Sequence, residues 1–177
     1  MGETRLILSR NLITESKHTR PGSSPRKNEH SVLLDNIRSA WNVGSILRTA
    51  DGFGYSHAYT CGITPAPDND AVKKTSLGAE NAVAWTSHKD AVALATELKS
   101  KKIKLIALEE HERSIPLMEV SNQTINSQFV LIVGNEITGV DPQLLDLCDE
   151  IYHIPMYGEK KSFNVAIAFA VASHVLR

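Results

Sequence analysis

Short apolar runs of strand length alternate along this chain with segments of helical periodicity, and that alternation leaves few folds open. Val32–Leu34 reads as a buried strand closed by Asp35. Behind it Val43, Ile46, Leu47 and Ala50 fall at i, i+3, i+4 and i+7, one face of a helix that Gly52 and Gly54 end. Ala58–Cys61 and Ala82–Trp85 read as further strands, and Lys89–Lys102 as a helix carried by Val92, Leu94, Ala95 and Leu98. Ile103–Leu108 and the continuous apolar run Phe129–Val133 are strand-like. Asp141-Pro142 opens a short helix through Leu147, with Asp as N-cap and Pro at the first helical position. A last strand, Ile151–Ile154, precedes a last helix, Asn164–Leu176, which is apolar nearly all round. Such a helix is buried on every side or divided between a core and a subunit interface. Strands alternating with helices predict an α/β fold, a mainly parallel sheet flanked by helices.

The 177 residues suit one domain with a substantial core. Ser16 to Asn28, rich in Ser, Pro, Lys and Arg, reads as a linker, so residues 1–30 form a basic N-terminal arm and linker and 31–177 the folded domain. The arm carries Arg5, Arg10, Lys17, Arg20, Arg26 and Lys27 against Glu3, Glu15 and Glu29, a charge balance able to collect phosphates. On charge alone a solvated terminus is the plainer reading. The formal net charge of −1 argues against binding nucleic acid by global charge. No apolar run is long enough to span a bilayer. Arg5 and Arg10 break up the only apolar stretch near the start, so a signal peptide is not expected. Cys61 and Cys148 lie far apart, with no metal-ligand spacing, and read as buried thiols of a reducing compartment, which points to the cytoplasm. The seven histidines show no paired spacing, so no metal is expected.

Parallel sheets bind ligands beyond the carboxyl ends of their strands, which singles out residues 42–54, 134–139 and 155–164. In Asn42-Val43-Gly44-Ser45-Ile46-Leu47-Arg48, Asn42 is an N-cap candidate. Gly44 costs about 1 kcal/mol against Ala inside a helix, so something has to approach that turn. Arg48, one turn beyond Gly44, could clamp a phosphate. Val133-Gly134-Asn135-Glu136-Ile137-Thr138-Gly139 runs from a strand into a Gly-rich turn. A dinucleotide fingerprint would need Gly where Glu136 stands, and a carboxylate there repels a pyrophosphate. It tolerates a cofactor without phosphate and with a positive centre, such as S-adenosylmethionine. After Ile154-Pro155-Met156, a polar loop leads to Ser162, placed to cap the final helix, with Asn164 in its first turn. Glu109-Glu110-His111 reads as an exposed polar loop after Leu108. Lys73-Lys74-Thr75 resembles the end of a phosphate loop only superficially, because no Gly-rich turn precedes it.

Each segment is weak by itself, but their order and spacing resemble the TrmH (SpoU) family of RNA ribose methyltransferases, in the SPOUT superfamily. The first family motif corresponds to Asp35–Gly54, the second to Phe129–Gly139, and the third to Ile154-Pro155-Met156 with Ser162-Phe163-Asn164-Val165. Lys74–Glu80 matches a further block, and the resemblance spans residues 31–177. It implies a SPOUT-type α/β fold with a C-terminal trefoil knot, a homodimer with its active site at the subunit interface, and S-adenosylmethionine as cofactor. It implies a cofactor pocket of Leu108, Gly134, Ile154 and Phe163, and a catalytic set of Asn42, Arg48, Glu136, Ser162 and Asn164. Two departures stand out: Phe163 where relatives have Leu, and Ala166 where they have Ser. The implied reaction is attack of a ribose 2′-oxygen of a structured RNA, tRNA or rRNA, on the cofactor methyl. An RNA-binding protein of the same fold without catalytic activity is the alternative; a nicotinamide-dependent dehydrogenase is disfavoured by Glu136.

Overall fold

The structure, a computed structural model, describes residues 29–121, 124 and 126–176, together with the backbone of Ile13–Thr14. Among these residues eight strands form one sheet: β1 (Ile13–Thr14), β2 (Ser31–Asp35), β3 (His57–Cys61), β4 (Ala84–His88), β5 (Lys104–Leu108), β6 (Ile115–Pro116), β7 (Phe129–Val133) and β8 (Glu150–His153). Five α-helices connect or cover them: α1 (Ala40–Gly52), α2 (Asp70–Ser76), α3 (Ala91–Ser100), α4 (Pro142–Leu147) and α5 (Val165–Val175). The strand order is β1-β4-β3-β2-β7-β5-β8-β6. Seven strands run parallel, and only the short β1 pairs antiparallel, along the β4 edge. The rest of the basic arm lies outside the described residues.

Central strands in such a sheet are covered on both faces and read as unbroken apolar runs. β2 and β7 obey this, buried at every residue. Successive side chains alternate between faces. Val32, Leu34, Leu131 and Val133 therefore pack with Val43, Ile46 and Leu47 of α1 and Phe169 of α5. Leu33, Val130 and Ile132 face Leu94 and Leu98 of α3 and Leu144 of α4. Each such side chain contributes on the order of 2 kcal/mol when fully buried.

Several helix starts differ from the sequence expectation. Ser39, not Asn42, caps α1, its hydroxyl accepting from the Asn42 amide at 3.3 Å. Asn164, not Ser162, caps α5 by accepting from the Ala166 amide at 2.9 Å, and the helix begins at Val165. In both segments two polar residues of comparable capping strength lie three or two positions apart, and propensity does not choose between them. Helix α2 was not expected, since seven residues are too few to display helical periodicity. Its ends are nonetheless well matched to the helix dipole: Asn69 caps it, Asp70 opens it, and Lys73 and Lys74 close it. It also explains Gly44. A Cβ there would lie 2.0 Å from Thr75 Oγ1, 2.4 Å from the Val72 carbonyl and 2.8 Å from the Ser76 amide. What approaches that turn is another helix of the same chain.

Helix α5 buries Ala166, Phe169, Ala172 and Ser173. Ile167 and Val171, at i and i+4, stay exposed at 53% and 38%, so the apolar surface of this helix is divided between the core and an uncovered stripe. Among the described residues no helix is long and apolar enough to cross a membrane.

Candidate active site

The carboxyl ends of β5, β7 and β8 open into one cleft of about 680 Å³. Leu108, Glu109 and Glu110 supply the β5 side; Val133 to Ile137 and Gly139 the β7 side; His153, Ile154 and Met156 the β8 side. Lys161 to Val165, on the approach to α5, close it.

The β7 loop is built to fold back on itself. Asn135 and Gly139 exchange backbone hydrogen bonds at 3.0 and 2.9 Å. Asn135 Oδ1 accepts from the Ile137 and Thr138 amides, and its Nδ2 donates to the Asn36 carbonyl at 2.7 Å. Gly134 is required by this turn, since a Cβ would meet the Gly139 carbonyl carbon and the Val140 amide nitrogen, both at 2.2 Å. Gly139 adopts φ +73°, and a Cβ there would also run into the Glu109 carboxylate.

Glu136 projects from this loop toward the start of α1. Its Oε2 accepts from the Arg38 amide at 2.9 Å, and its Oε1 from the Ser39 amide at 3.0 Å and Asn42 Nδ2 at 2.8 Å. Asn42 Oδ1 in turn accepts from Asn164 Nδ2 at 3.1 Å. A carboxylate only accepts, so Asn42 must turn its amino group to Glu136 and its oxygen to Asn164. Asn164 must then donate with its amino group, which leaves its oxygen to cap α5. Every amide orientation along this chain is thus fixed by Glu136. Partial burial pushes the Glu136 carboxyl up, but the bonds from Arg38, Asn42 and Ser39 outweigh it and hold the group below the ordinary glutamate range.

Of the residues singled out from sequence, Leu108, Gly134, Ile154, Phe163, Glu136, Ser162 and Asn164 all line the cleft. Asn42 joins them through its two hydrogen bonds. Arg48 does not: it is exposed on α1 and absent from the cleft wall of its own chain. Phe163 is 45% exposed at the mouth. Glu109 is the residue that sequence reasoning missed. Read as part of an exposed loop, it is half-buried in the cleft wall. Its position directly after an apolar parallel strand was the available signal.

Three carboxylates, Glu109, Glu110 and Glu136, stand on the cleft wall against one lysine, Lys161. That balance suits a ligand carrying positive charge and opposes one carrying a pyrophosphate. Among the described residues no group of three or more His, Cys, Asp or Glu side chains is arranged to hold a metal.

The SpoU rRNA Methylase family model matches residues 29–174. The chain is 28% identical over 168 residues to the tRNA (guanosine(18)-2'-O)-methyltransferase of Aquifex aeolicus, covering 94% of this chain and 75% of that protein. It is 29% identical over 146 residues to the 23S rRNA (guanosine(2553)-2'-O)-methyltransferase RlmP of Bacillus subtilis, covering 82% of this chain and 57% of the relative. The crystal structure of the A. aeolicus TrmH/SpoU tRNA modifying enzyme superposes with a TM-score of 0.76 at 26% identity, over 85% of this chain and 75% of the other. With a cleft at the expected strand ends and a family match over most of its length, the chain belongs to the SpoU rRNA Methylase family.

Proposed function

We propose that this chain transfers a methyl group from S-adenosylmethionine to a ribose 2′-hydroxyl of a structured RNA, acting as a homodimer in the cytoplasm. The observation that carries the reading is the hydrogen-bonded line Glu136–Asn42–Asn164, which ties three distant motifs to one cleft. The cleft fits the cofactor on its own terms. Gly134 lines it without a side chain, in a turn closed by its own loop backbone, and the walls carry more carboxylate than cation. Leu108, Gly134, Ile154 and Phe163 would hold the cofactor, largely through backbone groups and apolar contact. When bound, S-adenosylmethionine supplies a methyl group on a cationic sulfur, ready for displacement.

The remaining work falls to side chains of this chain. A ribose hydroxyl is a weak nucleophile that must lose its proton. Arg48, with a pKa above about 12, is a poor base; it acts better by gripping an RNA phosphate and stabilising the forming alkoxide. Being exposed and outside its own cleft, it is available to the cleft of a partner subunit. Ser162 and Asn164 orient the ribose, and Glu136 fixes Asn42 and Asn164, so positioning is the main catalytic contribution. The exposed stripe Ile167–Val171 on α5 supports the dimer, since apolar side chains at i and i+4 are best covered by another protein surface. The sheet order supports a C-terminal trefoil knot. β8 lies between β5 and β6, so the segment that leaves β5, forms β6 and returns to β7 crosses the position that β8 fills, as a knotted path would require. Residues 1–30 would serve as a basic arm for RNA ahead of the domain, with β1 attached to its edge. Two buried, unbridged cysteines fit the cytoplasm.

Transfer of labelled methyl to total tRNA and to rRNA, followed by mapping of ribose methylations, tests the reading. Label at a 2′-oxygen of one RNA class is the expected result. Label on a base, or none with either RNA while the cofactor binds, would overturn it.

A further inference from the structure

We propose that the Glu109 carboxylate is a cofactor-recognition group that accepts hydrogen bonds from the vicinal 2′,3′-hydroxyls of the cofactor's ribose. The proposal rests on the reading of the cleft as the S-adenosylmethionine site and assigns it a specificity residue. Glu109 follows the last residue of β5, and its own amide donates to the Tyr152 carbonyl of β8 at 2.9 Å. Its Oε2 accepts from the Val140 amide, beyond the β7 loop, at 3.0 Å. Its Oε1 accepts from the adjacent Glu110 amide at 3.2 Å. Through its backbone amide and its carboxylate, one residue thereby ties the end of β5 to β8 and to the segment after the β7 loop, and the two accepted bonds orient its side chain on the cleft wall.

Those bonds leave the carboxylate half used. The two oxygens of a carboxylate can accept about four hydrogen bonds, and here each takes one. Among the described residues no lysine or arginine pairs with it. Glu136 differs, because it already accepts three bonds at the start of α1. The approach of Glu109 also depends on a bare backbone: a Cβ on Gly139 would stand 2.5 Å from its Oε2. A partly buried, unpaired carboxylate calls for donors from a ligand. Two adjacent oxygens match the paired hydroxyls of a ribose better than any single donor. An acidic residue near strand ends that takes ribose hydroxyls is also a general solution in parallel α/β sheets.

Calorimetry on the full chain tests this with 5′-methylthioadenosine and its 2′-deoxy and 3′-deoxy forms, against wild type, Glu109→Ala and Glu109→Gln. These ligands lack the amino-acid end, so ammonium recognition does not contribute. Wild type should lose roughly 10- to 100-fold in affinity when a bonded hydroxyl is removed. In Glu109→Ala the parent ligand should bind about as weakly as the deoxy forms bind wild type, with the ratio between them collapsing to about two- to three-fold. If Glu109 only anchors the loop, the alanine variant weakens all three ligands equally and keeps the wild-type ratio, which overturns the proposal. If the alanine variant binds none of them, Glu109→Gln decides by the same ratio, because it retains an acceptor for the Val140 amide. Wild type that is indifferent to hydroxyl removal also overturns the proposal. Failure of wild type to bind S-adenosylmethionine itself is a separate result, and refutes the reading of the cleft.

Discussion

Glu136→Gln tests whether the line from the β7 loop to α5 has the weight assigned to it. The carboxylate accepts three hydrogen bonds, from the Arg38 and Ser39 amides and from Asn42 Nδ2. A glutamine keeps one oxygen, which can still serve Ser39 and Asn42, but turns an amino group toward the Arg38 amide, donor against donor. One bond is lost and the other two change from charge-assisted to neutral. Hydrogen bonds to charged groups contribute about 1.5–3 kcal/mol and neutral ones about 1 kcal/mol. Glu136 is exposed to solvent, so water recovers part of the loss. The expected destabilisation is about 1–2 kcal/mol by urea unfolding, with methyl transfer falling much further, because Asn42 and Asn164 lose their fixed orientation. The pH dependence has a definite sign. A carboxylate whose folded pKa is depressed stabilises the protein above its unfolded pKa, about 4.3, and that contribution is lost as pH falls through the lower folded value. The stability gap between wild type and Glu136→Gln should therefore be level above about pH 5.5 and shrink toward acid. A variant with unchanged turnover and unchanged stability at neutral pH, or a gap that grows below pH 4, would refute the reasoning.

Further outcomes follow from single contacts. Gly44→Ala gains about 1 kcal/mol in helix propensity but drives a methyl into the Val72 carbonyl and Ser76 amide, and overpacking costs about 1–3 kcal/mol; a net loss of about 1 kcal/mol, visible as a Tm lowered by a few degrees, is expected. Arg48→Ala should nearly abolish methyl transfer with calorimetric cofactor affinity almost unchanged, because Arg48 is absent from the cleft wall. By light scattering the parent should be a dimer and Ile167→Asp a monomer, since the substitution sets a charge on the exposed stripe of α5. Burial pushes the thiols of Cys61 and Cys148 up to about 12, so neither should react with a disulfide reagent at pH 8 until the protein is unfolded.

Local rules read well wherever a choice had one strong candidate. Phe129–Val133 read as strand-like and Asp141-Pro142 as a helix start, and both form where read, because the signals lie within a few residues of one another. The motif blocks around Gly134, Ile154 and Asn164 were weak one by one and legible only through their order, spacing and family resemblance; these three residues line the cleft. Where two caps competed, as Ser39 with Asn42 or Ser162 with Asn164, the fold chose through distant partners. Asn42 is engaged by Glu136, 94 positions away, and by Asn164, 122 positions away. Gly44 announced a close approach in the sequence, but only the packing of α1 on α2 says what approaches. Glu109 looked like one carboxylate in a polar loop until β8 settled beside β5 and Val140 came within reach. The sequence by itself determined the elements and the residue types offered at the strand ends, because capping, periodicity and turn chemistry act over a few residues. The tertiary structure alone decided which polar groups meet, because the hydrogen bonds that orient them close only after the sheet has assembled in its order.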